Sequence, residues 1–155
     1  MRICLGLILG LLVTLSQALE IGERLAPWTL LDQYEQPYSL DDGLQLLLVA
    51  RDMDGGKLVK AALEGQPKGY LEARHAVFVA DISRMPALVS SLFAVPAMRD
   101  YNYRVLLDRE SRVVSRYPGD ESSVLWLRLE RGRLLDQREF GDAGALRAAL
   151  EALAP

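Results

Sequence analysis

The stretch Arg51-Asp52-Met53-Asp54-Gly55-Gly56-Lys57 concentrates charged and flexible residues directly after an apolar run. Two aspartates at the end of a buried strand are carboxylates that can serve as nucleophile or proton carrier, and with a magnesium ion they could act on an anionic ester. A magnesium-dependent phosphatase or other hydrolase using Asp52 and Asp54 is therefore one expectation. Its surroundings weaken it. Arg51 intrudes at the strand end, and the nearest later acidic pair, in Gly119-Asp120-Glu121, lies in a proline-bearing turn. The plainer reading is that the aspartates solvate a loop and cap the helix after it. Calcium binding by the same acids lacks the further oxygen ligands and the closing Glu of a calcium loop.

Other catalytic groups are scarce. His75 is the sole histidine and Cys4 the sole cysteine, so no histidine pair can hold zinc and no thiol–imidazole dyad can form downstream. Ser122 with His75 has neither a nucleophile-elbow sequence nor a placed base. No metal and no cofactor is expected.

Cys4 belongs to a segment of a different kind. Arg2 precedes an apolar run, Ile3 to Leu15, which is shorter than the roughly 20 residues a membrane-spanning helix requires. Ser16-Gln17-Ala18 then offers small residues where a signal peptidase cuts. Residues 1–18 read as a cleavable signal peptide, residues 19–155 as one domain, and the location as periplasmic or secreted. Arg2 is the only charge removed, so 17 of the 18 basic residues remain against 21 acidic ones, a net charge of −4. That weighs against nucleic acid or an anionic membrane as a partner, and no membrane anchor remains after cleavage. The mature chain holds no cysteine, hence no disulfide and no thiol nucleophile.

The elements that must position the Arg51–Lys57 loop follow from hydrophobic pattern. Trp28 to Leu31 and Tyr38 to Leu40 form an opening hairpin around a polar turn. Leu44 to Ala50 is a strand buried on both faces, and Lys57 to Glu64 a short helix stopped by Gly65. Ala76 to Ile82 is a second buried strand, with His75 at its edge, and Pro86 to Phe93 a helix whose apolar side is Leu88, Val89 and Leu92. Arg104 to Leu107 is a further strand, and Val124 to Leu129 pairs with Arg133 to Gln137 across Glu130-Arg131-Gly132. Asp142 caps a last helix with Leu146, Ala149, Leu150 and Leu153 on one stripe. Trp28, Phe78 and Trp126 are core residues. The whole is an α/β fold, a central mixed sheet flanked by helices, with an N-terminal hairpin extension.

This order resembles the thioredoxin-like superfamily, in its peroxiredoxin and thiol-disulfide reductase branch. The resemblance rests on Gly22 with Ala26 to Gln33, on Ser39-Leu40, on Tyr103 to Asp108, and on Val124 to Leu135. It implies a Cys-x-x-Cys after the first buried strand, and the two cysteine positions fall on Met53 and Gly56. It also implies a cis-proline before the closing hairpin, where Ser122-Ser123 stands instead. Neither a thioether nor a glycine ionises or forms a disulfide. Asp52-Met53-Asp54-Gly55 is also similar to the opening of haloacid-dehalogenase-type phosphatases, except that Gly56 replaces the usual threonine or serine.

The expectation for function is a noncatalytic thioredoxin-like protein of the envelope. It would bind a periplasmic protein or peptide through Arg51 to Lys57 and the facing residues Glu121, Ser122 and Ser123. A second candidate interface is Arg99, Tyr101 and Tyr103, since Tyr and Arg anchor many interfaces. A structural accessory protein whose loop has no role is the remaining alternative, and the oligomeric state is open.

Overall fold

The computed structural model describes residues 19–155. The expected signal peptide, residues 1–18, lies outside that range. The first elements are a hairpin of β1 (Thr29–Asp32) and β2 (Pro37–Ser39). Asp32 holds its turn by accepting the N–H groups of Tyr34 at 2.8 Å and Gln36 at 2.9 Å. β3 (Leu46–Ala50) is buried at every position, which is why it consists of Leu, Val and Ala alone.

α1 (Met53–Ala62) begins four residues before the Lys57 start expected from the apolar pattern. The cause is Asp52, whose side chain accepts the Gly55 N–H and nucleates the first turn over the glycines. A short α2 (Tyr70–Ala73) leads into β4 (Ala76–Asp81). α3 (Ala87–Val89), a π-helical turn (Ser90–Ala94) and α4 (Val95–Met98) then run on as one helical segment. β5 (Leu106–Asp108), a 3-10 turn (Val114–Arg116), β6 (Val124–Glu130), β7 (Arg133–Phe140) and α5 (Ala143–Glu151) complete the chain. As expected, Asp142 caps α5, accepting the Ala145 N–H at 2.8 Å.

The strands form one mixed sheet in the order β2-β1-β5-β4-β3-β6-β7. β3, β4 and β5 are parallel at its centre, and the remaining pairings are antiparallel. Alternation along β3 divides the core between two faces. Leu46, Leu48 and Ala50 meet Val59, Leu63, Phe78, Trp126, Leu146 and Leu150 under the helices. Leu47 and Val49 point the other way, toward Leu25, Trp28, Val113, Val114 and Tyr117. This second cover is not a helix but the N-terminal stretch and the segment after β5. Asp108 folds that segment, accepting N–H groups from Arg112, Val113 and Val114, and Trp28 Nε1 donates to the Tyr117 hydroxyl at 2.7 Å.

One expectation is overturned. Leu88, Val89 and Leu92 do not face the core: they are 72%, 44% and 62% exposed, and Phe93 beside them is 69% exposed. Ser90 and Val95 are buried instead. In a regular helix Leu88, Leu92 and Val95 share one stripe, but the π turn inserts a residue and breaks that phase. The first half of the segment thus turns outward while the second half packs.

Candidate functional site

β3 delivers its chain to the carboxyl end of the central parallel strands, where α/β sheets commonly place their ligands. There Asp52 joins two segments. Its Oδ1 accepts the Gly55 N–H at 2.9 Å, and its Oδ2 accepts the Ser122 N–H at 2.8 Å and the Ser122 hydroxyl at 3.3 Å. The same hydroxyl reaches Asp54 Oδ2 at 3.3 Å. Ser122, just before β6, thus meets the start of α1 in a hydrogen-bonded clasp. Both Asp52 oxygens are engaged in it.

Burial raises the Asp52 carboxyl, but the Gly55 and Ser122 N–H groups and the Ser122 hydroxyl more than offset this, and its pKa lies below the usual 3.8. A carboxylate with a lowered folded-state pKa stabilises the protein above its unfolded pKa and loses that contribution as pH falls through the folded one. Asp52→Ala is expected to cost about 1 kcal/mol at neutral pH. In urea melts its deficit should shrink steadily as pH drops through the acid range. A pH-independent deficit would contradict the clasp.

Gly55 lets the two segments meet. A Cβ there would lie 2.7 Å from the Ser123 carbonyl oxygen and 3.2 Å from the Ala50 Cβ, so no other residue fits without displacement. Gly56 differs, since a Cβ there would have no neighbour within 4 Å. Met53 is 61% exposed. The two positions assigned to absent cysteines are thus open, one helical turn apart, on the first turn of a helix. Ser122 holds a left-handed backbone, φ 62°.

Arg51 faces the opposite way. Its Nη1 donates to the Val114 carbonyl at 3.3 Å, and its guanidinium lies against Gly119. Burial lowers its pKa, opposed first by the Glu139 carboxylate. Glu139 in turn accepts the Asp120 N–H at 2.7 Å. Arg51 therefore braces the loop against the second cover. Glu121 pairs with Arg84 at 2.6 Å, an exposed contact of small energetic weight.

At the second candidate interface, the exposed Arg99 and the half-buried Tyr103 also bond within the fold. Arg99 Nε donates to the Gln33 carbonyl at 2.9 Å, and Gln33 Nε2 donates to the Tyr103 carbonyl at 2.9 Å. Tyr101 and Tyr103 stack with centroids 5.0 Å apart, and Lys60 Nζ stands 5.0 Å from the Tyr101 centroid. Burial, then the neighbouring Tyr101, pushes the Tyr103 phenol up. What sequence reading missed is that these tyrosines and the loop belong to one groove. A cleft of about 260 Å³ opens at Asp52, Met53 and Gly56 and runs between α1 and α4 to Tyr101 and Tyr103. Met85 and Met98 form its walls, Phe78 and Val105 its floor, and Lys57 and Lys60 its rim. The local signal was slight: methionines recur at 53, 85 and 98, and Met suits adaptable apolar surfaces.

Among the described residues no group of three or more His, Cys, Asp or Glu side chains is arranged to hold a metal ion. No helix among them is long and apolar enough to cross a membrane.

Comparison with solved structures matches this sheet and its helices to a thiol:disulfide interchange protein, DsbE, from Chlorobium tepidum. The TM-score is 0.59 at 17% identity, over 88% of this chain and 96% of that one. The fold is thioredoxin-like. Peroxidoxin BcpB from Mycobacterium tuberculosis shares this thioredoxin-like fold with a TM-score of 0.55 at 18% identity, over 88% and 99% of the two chains. So does the exposed lipoprotein thioredoxin Etrx1 from Streptococcus pneumoniae, with a TM-score of 0.56 at 16% identity over 83% and 100%. No family model and no curated protein matches the sequence.

Proposed function

We propose that this chain is an exported, noncatalytic thioredoxin-like protein that binds a protein or peptide partner in the periplasm at the mouth of the α1–α4 groove. The observation that carries this reading is Met53: at a position where thiol chemistry would need an ionisable sulfur, an unreactive thioether stands 61% exposed beside an apolar cleft. The fold is retained and the reacting groups are not. An apolar side chain from a partner can enter over Met53, Met85 and Met98, while Lys57 and Lys60 meet its polar flanks. The N-terminal apolar run with its small-residue cleavage site supports export.

The purified protein without residues 1–18 is expected neither to reduce insulin disulfides nor to consume peroxide when no other thiol is present. On an affinity column loaded with native envelope extract, it should retain a partner that a Met53→Glu, Lys57→Glu variant releases. Thiol-free reduction or peroxide removal would overturn the noncatalytic reading. An identical retained set for both proteins would leave the loop a structural relic. Magnesium-dependent phosphate-ester turnover abolished by Asp52→Asn would replace binding with hydrolysis.

A further inference from the structure

Residues 19–155 contain three methionines, Met53, Met85 and Met98, and all three line the α1–α4 groove. They come from separate places in the chain: Met53 opens α1, Met85 stands between β4 and α3, and Met98 closes α4. Leucines fill both faces of the core, whereas the methionines meet at this one cleft. Met53 and Met85 also border a neighbouring cavity of about 270 Å³ beside Arg84, so they form the ridge between two openings. Met53 is 61% exposed, and Met85 and Met98 are half-buried. With Cys4 outside this range, these thioethers are the only sulfur among the described residues.

A thioether neither ionises nor forms a disulfide, but its lone pairs stay open to two-electron oxidants. With hypochlorous acid, sulfur attacks chlorine and the O–Cl bond breaks, giving a chlorosulfonium and hydroxide. Water then adds to sulfur, chloride leaves and protons are released. The net change turns thioether and hypochlorous acid into sulfoxide, chloride and one proton, with sulfur losing the two electrons that chlorine gains. We propose that Met53 is such an oxidation site and that its sulfoxide closes the groove to apolar ligands. This rests on the reading of the groove as a binding site. Exposure puts Met53 first, ahead of Met85 and Met98. In the open groove water solvates the sulfoxide oxygen, but an apolar side chain entering over it strips that water away. Phe78, Val105, Met85 and Met98 offer no side-chain donor in its place. Lys57, one turn further along the same face of α1, can donate to it, and doing so engages the rim cation that a ligand's polar flank would meet. Either way an apolar ligand is expected to bind about 10-fold or more weakly. Met53 belongs to neither core cluster, so its oxidation leaves the fold intact.

Residues 19–155 with isotope-labelled methionine methyl groups, treated with limiting hypochlorous acid and titrated with indole as the apolar probe, test the proposal by NMR. Peptide mass is expected to place the first added oxygen on Met53. In the untreated protein indole should shift the Met53, Met85 and Met98 methyl signals together. Once Met53 is oxidised, the indole affinity read at the Met85 and Met98 methyls should fall about 10-fold or more, with the thermal midpoint unchanged. Methionine sulfoxide reductases with dithiothreitol should restore it, and Met53→Gln should match the oxidised protein without treatment. A first oxygen on Met85 or Met98, or an indole affinity indifferent to the Met53 sulfoxide, would overturn the proposal while leaving the groove a binding site. Methyl signals that indole never shifts would remove the groove as a binding site, and this proposal with it.

Discussion

A variant carrying Met53→Cys together with Gly56→Cys is expected to catalyse the reduction of insulin disulfides by dithiothreitol, where the parent is expected to give no acceleration. Both positions accept the change. A Cβ at Gly56 meets nothing within 4 Å, and Met53 is 61% exposed. Three residues apart on one helical turn, their Cα atoms stand about 5–6 Å apart, within the span of a disulfide. The positive end of the α1 dipole favours a thiolate at position 53. That thiolate attacks an insulin disulfide and releases one insulin thiol. The thiol at position 56 then resolves the mixed disulfide, freeing the second, and dithiothreitol reduces the resulting protein disulfide. Asp52 and Asp54 oppose thiolate formation by like charge, so the rate should be modest and Asp54→Asn should raise it. Met53→Cys alone should bind insulin covalently without turnover. A folded double variant that forms the 53–56 disulfide yet exchanges none with insulin would refute the assignment of cysteine positions to 53 and 56.

The second large effect is on stability. Asp108→Ala is expected to lower the unfolding free energy by about 3–5 kcal/mol, measured by urea melts at neutral pH. Asp108 is fully buried and accepts N–H groups from Val113 and Val114 at 2.8 Å each, and from Arg112 at 3.2 Å. Removing it leaves buried donors unpaired. It also releases Val113, Val114 and Tyr117 from the face they cover. Asp108→Asn keeps one acceptor and should lose less. Because Arg51 reaches back to the Val114 carbonyl, hydrogen exchange should quicken at the start of α1 as well as around residue 113. A loss under 1 kcal/mol would show that the segment after β5 is held by its apolar contacts and not by Asp108.

Much of the frame was legible because its signals are local. β3 is an unbroken Leu and Val run, the β6–β7 hairpin is marked by Glu130-Arg131-Gly132, and α5 by Asp142 and a single stripe. The absence of a thiol at positions 53 and 56 needed no structure, since composition alone excludes it. α1 was placed late because apolar spacing reports on packing, and its first turn is made by a cap over two glycines. The second cover was not seen at all: Val113, Val114 and Tyr117 lie among Arg and Ser residues, and only Asp108 and Trp28 reveal that they are buried.

For the loop after β3, the sequence determined that no thiol stands there, because residue identity sets what can ionise. Tertiary structure decided the rest. It clasped Asp52 to Ser122, joined Met53 to Tyr101 through one groove, and turned Leu88, Val89, Leu92 and Phe93 to the outside. Each depends on which distant segment a side chain meets, and helical spacing defines a face without saying what that face will touch.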